Sequence, residues 1–158
     1  MAGALHNRDI AFDTSVLVPL VRAVSGTSTS EERRTGQSYN ESELAEIDRM
    51  VGAARSCRML PYVLAETSNL VSQKAGKQTR REAVQRIVQD WLEGEVKIES
   101  VAKSDDFSEF GATDVALLIW LRADEKRTVI TEDARLWARA AYEGLSIVNF
   151  SHFREATA

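Results

Sequence analysis

The chain has 158 residues, 44% of them hydrophobic and 28% charged, which is typical of one ordinary globular domain. A single cysteine, Cys57, excludes an internal disulfide and fits a reducing compartment such as the cytoplasm. Residues 1–9 lack the apolar segment of a secretory signal, and no apolar run could span a bilayer. The net charge of −4 differs from the basic charge of most nucleic-acid binders, although binding depends on local patches. We therefore expect one cytoplasmic domain over residues 1–158, with no membrane partner.

The first half of the chain alternates short apolar strands with amphipathic helices. Residues 9–12 are predicted as a strand and residues 14–24 as a helix. The segment Ser25–Asn40 is rich in Ser, Thr, Gly and charge, and we expect this insert to be a solvated loop or disordered. The elements predicted after it are a helix at residues 41–54, a strand at residues 56–60 and a helix at residues 61–73.

The second half continues the alternation. Its predicted elements are a helix at residues 79–92, a strand at 96–101, a helix at 113–122, a strand at 128–131, a helix at 133–142 and a strand at 145–148. Regular alternation of this kind implies a parallel sheet with helices on both faces. The predicted fold class is therefore α/β, a three-layer α/β/α sandwich with a central parallel sheet, and ligands bind such sheets at the carboxyl ends of the strands.

Two aspartates follow predicted strands directly. Asp13 comes after the first strand, Asp133 comes after the strand at residues 128–131, and each precedes a helix. In a parallel sheet both side chains should emerge at the same edge. The alternative is that each is a helix N-cap, a common use of Asp that stabilises a helix by about 1 kcal/mol.

Two further acids lie on predicted helices. Glu66 shares a helix face with Val63 and Leu70, so it borders an apolar stripe and needs a partner, which could also be an arginine in a buried salt bridge. Asp114 opens an almost wholly apolar helix, where its alternative role is a favourable interaction with the helix dipole. Acids brought together repel one another unless they hold hard divalent cations, and Mg²⁺ at carboxylates is suited to phosphodiester chemistry.

The segments that carry these acids, in this order, resemble those of the PIN-domain family over residues 10–150. The matching pieces are Phe12-Asp-Thr-Ser-Val-Leu17, Leu64-Ala-Glu66, Gly111-Ala-Thr-Asp114 and Thr131-Glu-Asp133. The resemblance implies a PIN-like fold with Asp13, Glu66, Asp114 and Asp133 as the catalytic and metal-binding residues. It also implies a supporting role, near the substrate, for the hydroxyls of Ser15 and Thr131.

The resemblance has functional implications as well. It implies a ribonuclease that hydrolyses RNA phosphodiester bonds with Mg²⁺ or Mn²⁺. Many short bacterial members are the toxins of type II toxin–antitoxin pairs, so a cognate antitoxin protein and a homodimer are expected partners beside the RNA substrate. The insert at residues 25–40 departs from the usual short form of these toxins.

Other functions fit the sequence less well. A phosphotransferase of the haloacid-dehalogenase type needs a second Asp where this chain has Ser15, and a dinucleotide-binding fold needs a Gly-rich loop that residues 14–17 lack. A PIN-fold RNA- or protein-binding module without catalysis remains the alternative from another class. A basic run could contact RNA phosphates or form an ordinary solvated loop; its members are Lys74, Lys77, Arg80 and Arg81.

Overall fold

The computed structural model describes residues 2–73 and 76–158, and within them five parallel strands form one central sheet. The strands are β1 (Asp9–Phe12), β2 (Ser56–Met59), β3 (Leu92–Glu93), β4 (Arg127–Thr131) and β5 (Ile147–Asn149). They stand in the order β3-β2-β1-β4-β5, and every neighbouring pair is parallel. Helices flank the sheet, so the predicted three-layer α/β/α sandwich is confirmed.

Most of the helices lie between successive strands, while the first precedes β1 and the last follows β5. They are a short 3-10 helix at Ala2–Leu5, α1 (Thr14–Val24), α2 (Ser30–Arg34), α3 (Glu41–Ala53), α4 (Pro61–Val71), α5 (Lys77–Val88), α6 (Ile98–Ala102), α7 (Phe107–Arg122), α8 (Ala134–Tyr142) and α9 (Phe150–Thr157). In the part of the chain that the structure describes, no helix is long and apolar enough to cross a membrane. The bounds of β1 and α1 agree with the prediction.

The core is built around the middle strand of the sheet. Ile10, Ala11 and Phe12 of β1 are fully buried, and the ring of Phe12 stacks on Trp91 with 5.5 Å between ring centroids. A strand buried on both faces favours a continuous apolar run, which this segment has. A smaller apolar cluster joins α1, α4 and α5 and consists of Val18, Val21, Val71, Ala83 and Val84.

The strand order reverses at β1. From β1 the chain builds outward through β2 to β3, and it then returns to place β4 on the other side of β1. The connections after β1 and after β4 therefore diverge at the carboxyl edge of the sheet. In open α/β sheets this divergence leaves a crevice in which ligands bind.

The predicted strand at residues 96–101 is wrong. The edge strand is instead β3, which pairs only through Arg58↔Leu92 and Met59↔Glu93. The alternation of apolar and polar residues predicted a strand with one buried face. Ile98 is instead 77% exposed, so it does not belong to such a face. The chain forms the short helix α6 there, and Val101 is its buried residue.

The insert at Ser25–Asn40 is ordered, which corrects the expectation of a solvated or disordered segment. It contains α2, whose N-terminus has a capping box. Thr29 Oγ1 accepts a hydrogen bond from the Glu32 backbone N–H at 3.1 Å, and Glu32 Oε2 accepts one from the Thr29 N–H at 2.9 Å. Tyr39 is buried as well, with its ring edge-on to Phe150 at 5.3 Å.

A buried ion pair anchors the insert to the body of the protein. Glu32 and Arg80 are each only 1% exposed, and Arg80 Nη2 lies 3.1 Å from Glu32 Oε2. Arg22 Nε lies 3.4 Å from the other carboxylate oxygen of Glu32. The suggested contact between Arg80 and RNA phosphates is therefore wrong; Lys77 and Arg81 are exposed, and Lys74 lies outside the described residues.

Replacing Glu32 with Gln should lower the free energy of unfolding by about 3 kcal/mol, because the buried guanidinium of Arg80 and the half-buried guanidinium of Arg22 would lose their shared carboxylate. Glu31→Gln, an exposed change on the same helix, should shift it by less than about 0.5 kcal/mol. Urea denaturation followed by tryptophan fluorescence measures both. Similar unfolding curves for the two variants would show that the ion pair does not hold the insert.

Candidate active site

All four predicted acids line one pocket at the carboxyl edge of the sheet, where the strand order reverses. The pocket has a volume of about 600 Å³. Asp13 follows β1, Asp133 follows β4, Glu66 lies on α4 and Asp114 lies on α7. Four separate elements thus bring their acids to the place where the fold leaves a crevice.

Asp13 is the most buried of these acids, with 4% of its surface exposed. Its Oδ2 accepts hydrogen bonds from Ser15 Oγ at 2.6 Å and from Thr131 Oγ1 at 2.8 Å. The same two hydroxyl oxygens accept from the backbone N–H groups of Glu132 and Asp133, both at 2.9 Å. Burial raises the pKa of Asp13, although the two hydroxyl donors lower it. The two predicted hydroxyls therefore fix Asp13 to the residues that follow β4.

Asp114 lies just after a break in α7. Gly111 interrupts the helix with φ 80° and ψ 178°, a conformation open essentially to glycine alone. The helix then restarts, so half-buried Asp114 stands in its first turn. Burial raises the pKa of Asp114 to about 7, and the negative charge of Asp13 acts in the same direction. The charges of Asp133 and Glu66 raise it further.

Glu66 is exposed at the mouth of the pocket, rather than held in the apolar surroundings that its helix position suggested. The hydroxyl of Thr14 donates a hydrogen bond to Glu66 Oε2 at 3.3 Å. Within residues 2–73 and 76–158 no arginine pairs with this glutamate, so the alternative of a buried salt bridge is wrong for the described residues. Glu66 is the acid of the four that is most open to solvent.

The capping alternative is right for Asp133 and wrong for Asp13. Asp133 Oδ1 accepts hydrogen bonds from the backbone N–H groups of Arg135 at 2.7 Å and Leu136 at 3.0 Å, which caps α8. Asp13 occupies the N-cap position of α1, but its side chain makes no capping hydrogen bond with a described residue. Capping leaves Asp133 in the pocket wall, where its charge still acts on Asp114.

Part of the pocket wall was not predicted. Glu132 accepts hydrogen bonds from Tyr39 OH at 3.0 Å and from Arg154 Nη1 at 3.2 Å. Arg154 lies on α9, a helix for which the sequence pattern gave no indication, so nothing in the sequence linked it to Glu132. The other unpredicted residues of the wall include Arg22, Gly36 and Gln37, and the last two belong to the insert.

No protein-family model matches the chain, and no curated protein matches it. The chemistry of the pocket therefore rests on its own residues. Five acids and one arginine are among the described residues that line the pocket: Asp13, Glu66, Asp114, Glu132, Asp133 and Arg22. Glu132 is paired with Arg154, which leaves four acids without an ion pair among the described residues. This excess of carboxyl groups favours a cation as ligand.

The acids fit a hard divalent cation that is only partly coordinated by protein. No three His, Cys, Asp or Glu side chains of the described residues converge closely enough to form a complete metal site. Mg²⁺ does not need such a cage, because it usually binds through one or two carboxylates and completes its shell with waters and substrate phosphates. Asp13 and Asp114 have raised pKa values and would gain most from a cation beside them.

The raised pKa of Asp114 predicts a pH-dependent stability. An acid with a folded-state pKa of about 7 and an unfolded value near 4 destabilises the fold increasingly as the pH rises from about 4 to about 7. In EDTA, Asp114→Asn should therefore be more stable than wild type at pH 7, by on the order of 1 kcal/mol after allowance for its partial exposure. At pH 4 the difference should vanish.

Chemical denaturation across this pH range measures the effect. Asp48→Asn, a matched change at an exposed position outside the pocket, should follow the wild-type pH curve. An Asp114→Asn variant that is no more stable than wild type at pH 7 would show that the neighbouring acids do not strain this carboxyl group.

Proposed function

We propose that this protein is a metal-dependent endoribonuclease that hydrolyses RNA phosphodiester bonds and belongs with the PIN-domain nucleases that its sequence resembles. The observation that carries the proposal is the convergence of four acids, from four elements, on one pocket at the reversal of strand order. Two of these acids, Asp13 and Asp114, have raised pKa values, which is typical of functional sites. The choice of RNA as substrate rests on the sequence resemblance.

The residues of the pocket have different tasks in this proposal. Mg²⁺ or Mn²⁺ bound through one or two carboxylates of the set Asp13, Glu66, Asp114 and Asp133, with waters in its remaining positions, would supply a Lewis acid and lower the pKa of a bound water. Asp13 is oriented by the hydroxyls of Ser15 and Thr131, so its carboxylate is fixed before any ligand arrives. Asp133 is oriented by its capping bonds to α8. Exposed Glu66 stands where substrate and water enter.

The alternative is a PIN-fold module that binds RNA or protein without catalysis. A binding surface gains nothing from placing carboxyl groups where burial raises their pKa, as it does for Asp13 and Asp114. A metal-dependent hydrolase uses such groups, because the cation compensates their mutual repulsion. The pocket therefore favours catalysis over binding alone.

Purified protein should cut single-stranded RNA with Mn²⁺ or Mg²⁺ and stop in EDTA. Asp133→Asn should lower the rate by on the order of 100-fold or more, because a metal ligand is lost. Its melting temperature should stay close to that of wild type, because Asn caps helices as well as Asp does. Asp48→Asn should cleave at the wild-type rate. Cleavage that survives EDTA, or an active Asp133→Asn, would contradict the proposal.

We further infer that the nuclease is the toxin of a type II toxin–antitoxin pair and acts in the cytoplasm as a homodimer, a role that rests on the sequence resemblance alone. Expression without its partner should then arrest growth, and Asp13→Asn or Asp114→Asn should restore growth at equal protein levels. An antitoxin arginine is suited to the acid pocket, since a guanidinium binds carboxylates in a bidentate way. Normal growth at high wild-type expression would contradict the toxin role and leave the nuclease proposal standing.

A further inference from the structure

Arg22 is the basic residue of the acid pocket. Of the described residues that line the pocket, it alone carries a positive charge, and 14% of its side chain is exposed. It lies on α1, nine residues beyond Asp13, which corresponds to on the order of 13 Å along the helix axis. Arg22 therefore stands at one end of the pocket, away from the buried carboxyl group of Asp13.

The charge of Arg22 is only partly compensated by its neighbours. Glu32 lies close to two guanidinium groups, and the fully buried Arg80 is the nearer, at 3.1 Å against 3.4 Å for Arg22. The single carboxylate of Glu32 therefore lies beside two positive charges. Of the two arginines, Arg22 is the one that lines the pocket. Its Nε is buried and lies 3.4 Å from Glu32 Oε1, so it faces that carboxylate. An anion in the pocket would therefore contact the terminal nitrogens of the guanidinium, of which Nη1 also donates to the carbonyl of Gln37.

A hydrogen bond to the insert orients the guanidinium of Arg22 at the pocket wall. The backbone carbonyl of Gln37 accepts a hydrogen bond from Arg22 Nη1 at 3.1 Å, and both residues line the pocket. The neighbouring Gly36 has φ +71°, and its carbonyl accepts a hydrogen bond from Arg154 Nη2 at 3.0 Å. A Cβ on Gly36 would lie 2.6 Å from Arg154 Nη2, so glycine permits this close contact. The segment that orients Arg22 is therefore itself held by Arg154.

We propose that Arg22 binds a phosphate of the substrate RNA beside the bond that is cleaved, and that the insert at Ser25–Asn40 holds it for this task. The inference rests on the proposed nuclease function. An RNA strand that enters a pocket rich in carboxyl groups needs an attractive contact in addition to the metal, and a guanidinium provides charge-assisted hydrogen bonds to phosphate. The distance from Asp13 along α1 assigns Arg22 to a neighbouring phosphate rather than to the one under attack.

The test compares Arg22→Gln and Arg22→Lys with Arg34→Gln, which removes the same charge from an exposed position of the insert outside the pocket. Two measurements are made: KM and kcat for cleavage of a single-stranded RNA with Mn²⁺, and Kd for the same labelled RNA in EDTA at several salt concentrations. Arg22→Gln should weaken binding about tenfold, raise KM and leave kcat nearly unchanged. The slope of log K against log salt should fall by about 0.7.

The conservative variant Arg22→Lys and the control Arg34→Gln separate binding from a merely structural role. Arg22→Lys keeps the charge beside Glu32, so it should keep the wild-type salt slope while binding RNA less tightly, because the planar fork is lost. Arg34→Gln should match wild type in KM. If Arg22→Gln fails to fold, the lysine variant decides: a raised KM with an unchanged salt slope supports the inference, and an unchanged KM overturns it.

The outcomes also separate this inference from the proposed function. Wild-type cleavage together with an unchanged KM and salt slope in folded Arg22→Gln would overturn the role of Arg22 alone. A wild-type protein that binds RNA without cleaving it would overturn the nuclease proposal, and the salt slopes would still decide whether Arg22 contacts a phosphate. A wild-type protein that neither binds nor cleaves RNA would overturn both.

Discussion

The burial of the Asp13 carboxyl group is the constraint on which the rest of the site depends. It follows the middle strand of the sheet, whose residues Ile10 to Phe12 are fully buried, so neither strand nor carboxylate can shift without disturbing the core. Such a group needs hydrogen-bond donors, and the hydroxyls of Ser15 and Thr131 provide them from α1 and β4. The break in α7 at Gly111 then brings Asp114 into the same pocket, where burial and the charge of Asp13 raise the pKa of Asp114.

The acids around the pocket fall into two groups according to their partners. Glu32 is paired with Arg80 and Arg22, while Glu43 and Glu132 are paired with Arg154. These ion pairs brace the wall on the side of the insert. Asp13 and Asp114, in contrast, have no ion pair with a described residue. Glu66 and Asp133 likewise have no ion pair with a described residue, so these four acids of the pocket are left without a countercharge, which suits the pocket to a cation.

The positions of the site acids could be predicted because they follow from local sequence patterns. The order of the insert could not be predicted, since it involves contacts between residues that are distant in the sequence. An apolar strand followed by Asp and an amphipathic helix implies an acid at the carboxyl edge of a parallel sheet, and this holds for Asp13 and Asp133. The insert has little apolar surface, so its composition indicated disorder. Its contacts with the body include the ion pair of Glu32 with Arg80, which are 48 residues apart, and the packing of Tyr39 on Phe150. No local sequence pattern predicts either contact. Arg154 on α9 escaped prediction for the same reason.

The insert is held partly by buried ion pairs, and these constrain its position more strictly than apolar packing would. Buried ion pairs contribute little net stability but require a specific geometry, because each guanidinium has to meet its carboxylate to offset the loss of water. The geometry that buries Glu32 against Arg80 also places Arg22 beside the pocket and the carbonyl of Gln37 in its wall. The position of the insert and the charge pattern of the pocket are therefore coupled. A change that loosens the insert would alter the pocket, even at a residue that does not line it.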